Sequence, residues 1–191
     1  MTTLVLLLLA ADPNAEGFAL YQKGEYAKAH ELFKKAIAQN PKHPYARLNH
    51  ARTLALLSKG EAPDDYCTFE KNWIMLALAD LDMAVAAEPE KILAKLADKD
   101  PGVALLEKRD EYQSWLVAVR WKSGQPLPKT WHKGGAGQIA QSKQLDEKSL
   151  KAGKPEVKQW FFDQGKRSFR QLTLTVGDDE WLAGPLTGDC D

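Results

Sequence analysis

The chain has little cysteine, no excess of either charge and no apolar run long enough to cross a bilayer. Each shortage removes a class of function. Only Cys67 and Cys190 occur among the 191 residues. Their separation excludes a zinc ribbon and a Cys-x-x-Cys redox motif, both of which need closely spaced sulfurs. In an exported protein they would form one disulfide tying the C-terminal tail to the helical part; in a reducing compartment they are two thiols. Lys and Arg number 26 and Asp and Glu number 26, so the formal net charge is +0. A nucleic-acid binder shows a basic excess or stripe, and nucleic acid is set aside as a partner. The apolar run Leu4 to Ala11 is shorter than the roughly 20 residues a membrane span requires. Its length does fit the apolar core of a secretory signal, about 7–15 residues. No Lys or Arg precedes it, however, and Leu9 stands where a small residue is preferred before cleavage after Ala11. Two readings stand: a leader within residues 1–11, which makes the protein periplasmic or secreted, or the buried first turn of a helix in a cytoplasmic one.

Catalytic signatures are also missing. The four histidines, His30, His43, His50 and His132, form no His-Glu-x-x-His pattern and no cluster with cysteine. His30 is read on the outer face of its helix and His50 at a helix-packing position as a satisfied core residue. The glycine-rich stretch Gly134 to Gly137 lacks the Gly-Lys-Ser/Thr that completes a phosphate loop and reads as a plain loop. Asp178-Asp179 reads as a hairpin turn, without the ligand spacing of a calcium loop. The remaining acidic pairs read as solvated helix faces. The expectation is a non-enzyme with no catalytic residues, no metal and no cofactor.

What is present is an ordinary globular composition, 44% hydrophobic and 27% charged, and a strong local pattern near the start. Gly17, Leu20, Gly24, Tyr26, Ala29, Phe33, Ala36 and Pro41 alternate small and large residues over two predicted helices. The small residues let the helices approach and the large ones fill the space between. This pattern resembles the tetratricopeptide repeat, a helix-turn-helix unit of about 34 residues. Ala77, Leu81, Ala84 and Pro89 repeat the spacing of Ala29, Phe33, Ala36 and Pro41. A second repeat is therefore expected, with an insertion over 60–73 that holds Cys67, Phe69 and Trp73. Leu93, Leu96, Val103, Leu106, Tyr112, Trp115 and Leu116 resemble the capping segment that follows the last repeat in bacterial members.

The expected fold is mainly α: an antiparallel helix-pair array (an α-solenoid) followed by a small antiparallel β meander. Asp12-Pro13 opens the first helix as N-cap and first-turn proline. Helices are predicted to about Lys23, over Tyr26 to Gln39, over Pro44 to Ser58 and over Tyr66 to Ala87. The repeats thus cover about 12–41 and 44–89, and a capping pair covers about 90–121. A Pro/Gly boundary near Gly124 ends the helical array of 12–124. Over 125–191, VKQWFF, RSFRQLTLTV and EWLAG read as strands separated by turns, and Gln138 to Leu145 as a further strand. So short a sheet is marginal alone. It is expected to pack on the helices through Trp131, Trp160 and Trp181.

The resemblance implies a protein or peptide partner on the inner face of each repeat's first helix. That face carries Asn14, Phe18, Tyr21 and Gln22 in the first repeat, and Tyr45, Asn49, Arg52 and Leu56 in the second. The last four recur at i, i+4, i+7 and i+11 and share one helix face. Asn49 could hold a peptide backbone and Arg52 could pair with a carboxylate. Alternatively, Phe18, Tyr21 and Tyr45 pack against the cap or the insertion. The functional expectation is an interaction or scaffold module of the bacterial cell envelope, with a ligand-sensing module built on the Trp-rich β part as the alternative. The sequence does not specify an oligomeric state.

Overall fold

The computed structural model describes residues 12–61, 72–133, 142–162 and 167–183. The first eleven residues, Cys67, Phe69, Gly134 to Gly137 and Cys190 lie outside that set, and with them the leader, the disulfide and most of the insertion. Two helix pairs open the fold: α1 (Pro13–Gln22) with α2 (Tyr26–Gln39), and α3 (Pro44–Leu57) with α4 (Trp73–Ala87). The Asp12 side chain accepts from the Asn14 amide at 3.0 Å, as an N-cap should. Gly24, at φ 77°, makes the turn between α1 and α2. The small-residue logic holds within the pair. A Cβ on Gly17 would lie 2.8 Å from Cε1 of Phe33, so the glycine is what lets α1 and α2 close. Ala29, Phe33 and Ala36 are buried, and so are Ala77, Leu81 and Ala84 at the matching positions of the second pair.

α4 starts at Trp73 instead of Tyr66. Asn72 is non-helical and its side chain accepts from the Met75 amide at 3.3 Å, which caps the helix there. The Trp73 indole donates to the Glu61 carbonyl at 2.8 Å. Pro89 ends α4 after Ala87 and opens the next helix, because it has no N–H to continue the ladder. The capping segment holds three short helices in place of a pair: α5 (Pro89–Leu96), α6 (Pro101–Leu106) and α7 (Asp110–Arg120). Leu96, Val103, Leu106, Tyr112 and Trp115 join the core formed by α3 and α4. Burial, and then the nearby Glu107 carboxylate, push the Tyr112 hydroxyl up to about 12.

Past a short 3₁₀ turn (Trp121–Ser123) lie β1 (Thr130–Lys133), β2 (Ser142–Gln144), α8 (Glu147–Ala152), β3 (Lys154–Phe162), β4 (Arg167–Val176) and β5 (Asp179–Ala183). The sheet is antiparallel throughout, in the order β2-β1-β5-β4-β3. Its centre is the expected meander β3-β4-β5. The β1-β2 hairpin extends it on the β5 side, and the strand expected over Gln138 to Leu145 is the short β2. Gly177, at φ 64°, turns β4 into β5 ahead of Asp178. The sheet packs on α7 and α8. Trp131, Leu172, Leu174 and Trp181 bury themselves with Ala118, and Val117, Trp121 and Leu150 pack alongside. Trp160 lies in β3, but its side chain is outside the described set.

β3 forms one edge of the sheet. Pro155 has no N–H to give, yet the pairing with β4 runs past it unbroken. Its backbone therefore faces outward, and with Lys154 and Lys158 it blunts that edge against further strands.

Two expectations about charge fail. Asp80 and Asp82 do not lie on a solvated face; both are buried on α4. His30 is not on an outer face either. It is half-buried, and its ring stacks on that of His50.

Candidate functional site

The inner face of the first helices opens on a cavity of about 420 Å³, within the size range of ligand pockets. Its apolar wall is Phe18 from α1 with Tyr45 and Leu48 from α3. Its polar wall is Asn14, Asn49 and Arg52, and the turn Lys95 to Asp100 closes one end. Helical spacing explains the assembly. Asn14 and Phe18 are one turn apart on α1, and Tyr45, Asn49 and Arg52 fall on one face of α3.

The Asn49 amide nitrogen donates to the Asn14 side-chain oxygen at 3.1 Å. The Asn14 amide nitrogen and the Asn49 side-chain oxygen then remain, one donor and one acceptor beside the apolar wall. Phe18 is 37% exposed and stacks on Tyr21, with ring centroids 6.1 Å apart. Tyr45 is half-buried, and its hydroxyl stands 3.5 Å from a Glu88 carboxylate oxygen.

Arg52 and Tyr21 are held from behind. Arg52 is only 5% exposed. Its Nη2 donates to the Lys95 carbonyl at 2.7 Å, and its Nε lies 3.7 Å from Asp100 Oδ1 without a hydrogen bond. The reason lies in Asp100. Oδ1 already accepts from the Gly102 and Val103 amides at 2.9 and 3.0 Å and from the Tyr21 hydroxyl at 2.9 Å. A bidentate grip of Arg52 on an incoming carboxylate would have to displace this arrangement. Burial, and then the Asp100 charge, hold the Tyr21 hydroxyl well above its usual range, so it stays a donor. α6 can approach because residue 102 is glycine: a Cβ there would sit 2.5 Å from the Arg52 carbonyl oxygen.

The expected site residues thus divide. Asn14, Phe18, Tyr45, Asn49 and Arg52 line the cavity. Tyr21 lies behind it, bonded to Asp100. Gln22 is exposed at the end of α1 and does not line it. Leu56 turns the other way and packs on the Tyr21, Ala29 and Phe33 cluster. Sequence reasoning missed the turn Lys95 to Asp100. The Asp100-Pro101 pair, an N-cap followed by a first-turn proline like Asp12-Pro13, was the available signal. Residues 62–71, which would decide whether the insertion reaches the cavity, lie outside the described set.

Trp131 and Trp181 of the sheet are core residues. Trp131 is fully buried, and its indole donates to the Pro128 carbonyl at 2.6 Å. Trp181 is 7% exposed, with the Lys143 ammonium 5.8 Å from its ring centre. Among the described residues no group of three or more His, Cys, Asp or Glu is placed to hold a metal ion, and no helix is long and apolar enough to cross a membrane.

Residues 14–43 match the family model of the tetratricopeptide repeat. No curated protein and no solved structure matches the chain. The match falls on α1, α2 and the turn into α3, where Gly17, Ala29, Phe33 and Ala36 make the packing described above. By that match and that packing, residues 14–43 form a tetratricopeptide-repeat unit, set in a helical part that is followed by a five-stranded antiparallel sheet.

Proposed function

We propose that the chain is a non-enzymatic interaction module that seats a peptide segment of a partner protein in the cavity between α1, α3 and the turn Lys95 to Asp100. Tetratricopeptide repeats generally mediate protein–protein interaction, and fold alone does not choose the site. The observation that carries the choice is the cavity itself. An apolar wall of Phe18, Tyr45 and Leu48 stands beside an amide donor on Asn14 and an amide acceptor on Asn49. That combination suits one large apolar side chain of the partner together with the peptide groups flanking it. Arg52 acts as a wall fixed by Asp100 rather than as a free clamp. The apolar run Leu4 to Ala11 supports a location in the bacterial envelope, tested by the mass of the mature N-terminus after expression in a bacterium.

The test is a peptide-display selection on the purified chain, with affinities of the selected peptides measured by calorimetry. Phe18→Ala with Tyr45→Ala is expected to weaken binding at least tenfold, since truncating a contact aromatic costs more than about 1 kcal/mol. Phe18→Ala alone serves if the pair lowers the melting temperature. Peptides that bind wild type and variants equally would remove the cavity from the function.

A further inference from the structure

We propose that the seam between the first and second helix pairs is an acid-sensitive latch built from His30 and His50. The His30 ring of α2 stacks on the His50 ring of α3, with centroids 4.7 Å apart and planes 21° from parallel. His50 Nδ1 lies 2.5 Å from Asp80 Oδ2, and Asp80 Oδ1 accepts from Arg47 Nη1 at 2.5 Å. An ionised carboxylate only accepts, so Nδ1 carries a proton towards Asp80, and Nε2 on the other side of the ring makes no hydrogen bond. That nitrogen is buried with no partner, and so is Nδ1 of His30. Stacked rings hold their lone pairs in the ring planes, so the two orphan nitrogens cannot satisfy each other. Unpartnered buried nitrogens are uncommon and costly; two on adjoining rings ask for a reason.

A proton on His30 puts a positive charge into a half-buried seam, against the His50 ring and near Lys34. The charged groups that face it are Glu31 and Lys34 on α2, Arg47 across Asp80 on α3, and Asp80 on α4. Glu31 and Asp80 favour the cation; burial, then His50 and Lys34, oppose it and prevail, which holds His30 below its ordinary value of 6.5. The sign follows. Above that value His30 is neutral in both the closed and the opened seam. As pH falls through it, the opened seam takes up the proton first, and the closed seam loses stability until the folded value is passed. α1 and α2 then loosen from α3. The latch stands on its own geometry. Its consequence for a partner rests on the binding reading above, because α1 carries Asn14 and Phe18 and its movement dismantles one wall of the cavity.

The experiment is native-state hydrogen exchange on the full chain at pH 7.5 and 5.5, corrected for intrinsic rates, with β4 amides as internal reference. Wild type is expected to lose protection several-fold in α1 and α2 at the lower pH. His30→Phe keeps a stacking ring and cannot titrate, so its α1 and α2 amides are expected to show no such loss. His30→Gln replaces it if the phenylalanine variant does not fold. His132 is also held low by burial, but it lies in β1, and His132→Gln is expected to leave the α1–α2 response in place. A wild type without the loss, or a His30 variant that retains it, overturns the latch without touching the cavity, whose peptides are measured at pH 7.5.

Discussion

Asp100 joins α1 to α6 with one carboxylate, accepting from the Tyr21 hydroxyl and from the Gly102 and Val103 amides. Tyr21→Phe keeps the aromatic stacking on Phe18 and Tyr26 and removes one hydrogen bond to a charged group. It is expected to cost about 1.5–3 kcal/mol, read as a lower urea midpoint with unchanged slope. Gly102→Ala tests the close approach at the same place. Its Cβ would press on the Arg52 backbone, which cannot yield like the end of a side chain, and the expected loss is about 1–3 kcal/mol. At this scale the sequence showed half of each interaction. Asp100-Pro101 is a legible helix start, but the tyrosine that shares the carboxylate is 79 residues away, and no local pattern connects them. Arg52 was legible as a groove residue, because helical period places it beside Asn49; that Asp100 holds it from behind was not.

Helix pairs are legible for the opposite reason. Their packing depends on small and large residues at fixed steps along one helix, so Gly17, Ala29, Phe33 and Ala36 announce the first pair and Ala77, Leu81 and Ala84 the second. Gly17→Ala tests this logic: the added carbon meets the fully buried Phe33 ring at 2.8 Å. Thermal unfolding is expected to show a loss of about 1–3 kcal/mol; an unchanged melting temperature would mean that α1 and α2 separate without cost. α4 held a signal that was overlooked. Its fifteen residues are apolar on every side except for Asp80 and Asp82, and a helix apolar all round is buried. Acids within it must therefore have partners. β1 and α8 were missed because four and six residues carry too little periodicity to be read.

Across the whole molecule, Asp82 fixes the sheet to the helices. It accepts from the Trp115 indole of α7 at 3.0 Å, from Arg170 Nε of β4 at 2.6 Å and from Gln159 of β3 at 3.3 Å. Asp82 is 4% exposed, and these donors satisfy its buried carboxylate oxygens. Around it α7 serves both layers: Tyr112 and Trp115 belong to the helical core, and Ala118 belongs to the core under the sheet. A shared helix and a shared ion pair join the array to the sheet, and wild type is expected to unfold in a single calorimetric transition. Removing one partner of a buried pair costs about 3–5 kcal/mol. Asp82→Ala should fall toward the lower end of that range, because the Arg170 side chain is 27% exposed and recovers water. Asp82→Ala with Arg170→Ala is expected to recover part of the loss, since no cation is then left facing an empty place. If the two layers were only adjacent, Asp82→Ala would lower one of two separable transitions and leave the other where it was. A single transition that moves as a whole, and moves part of the way back in the double variant, is the outcome expected of a sheet and a helical array that fold as one.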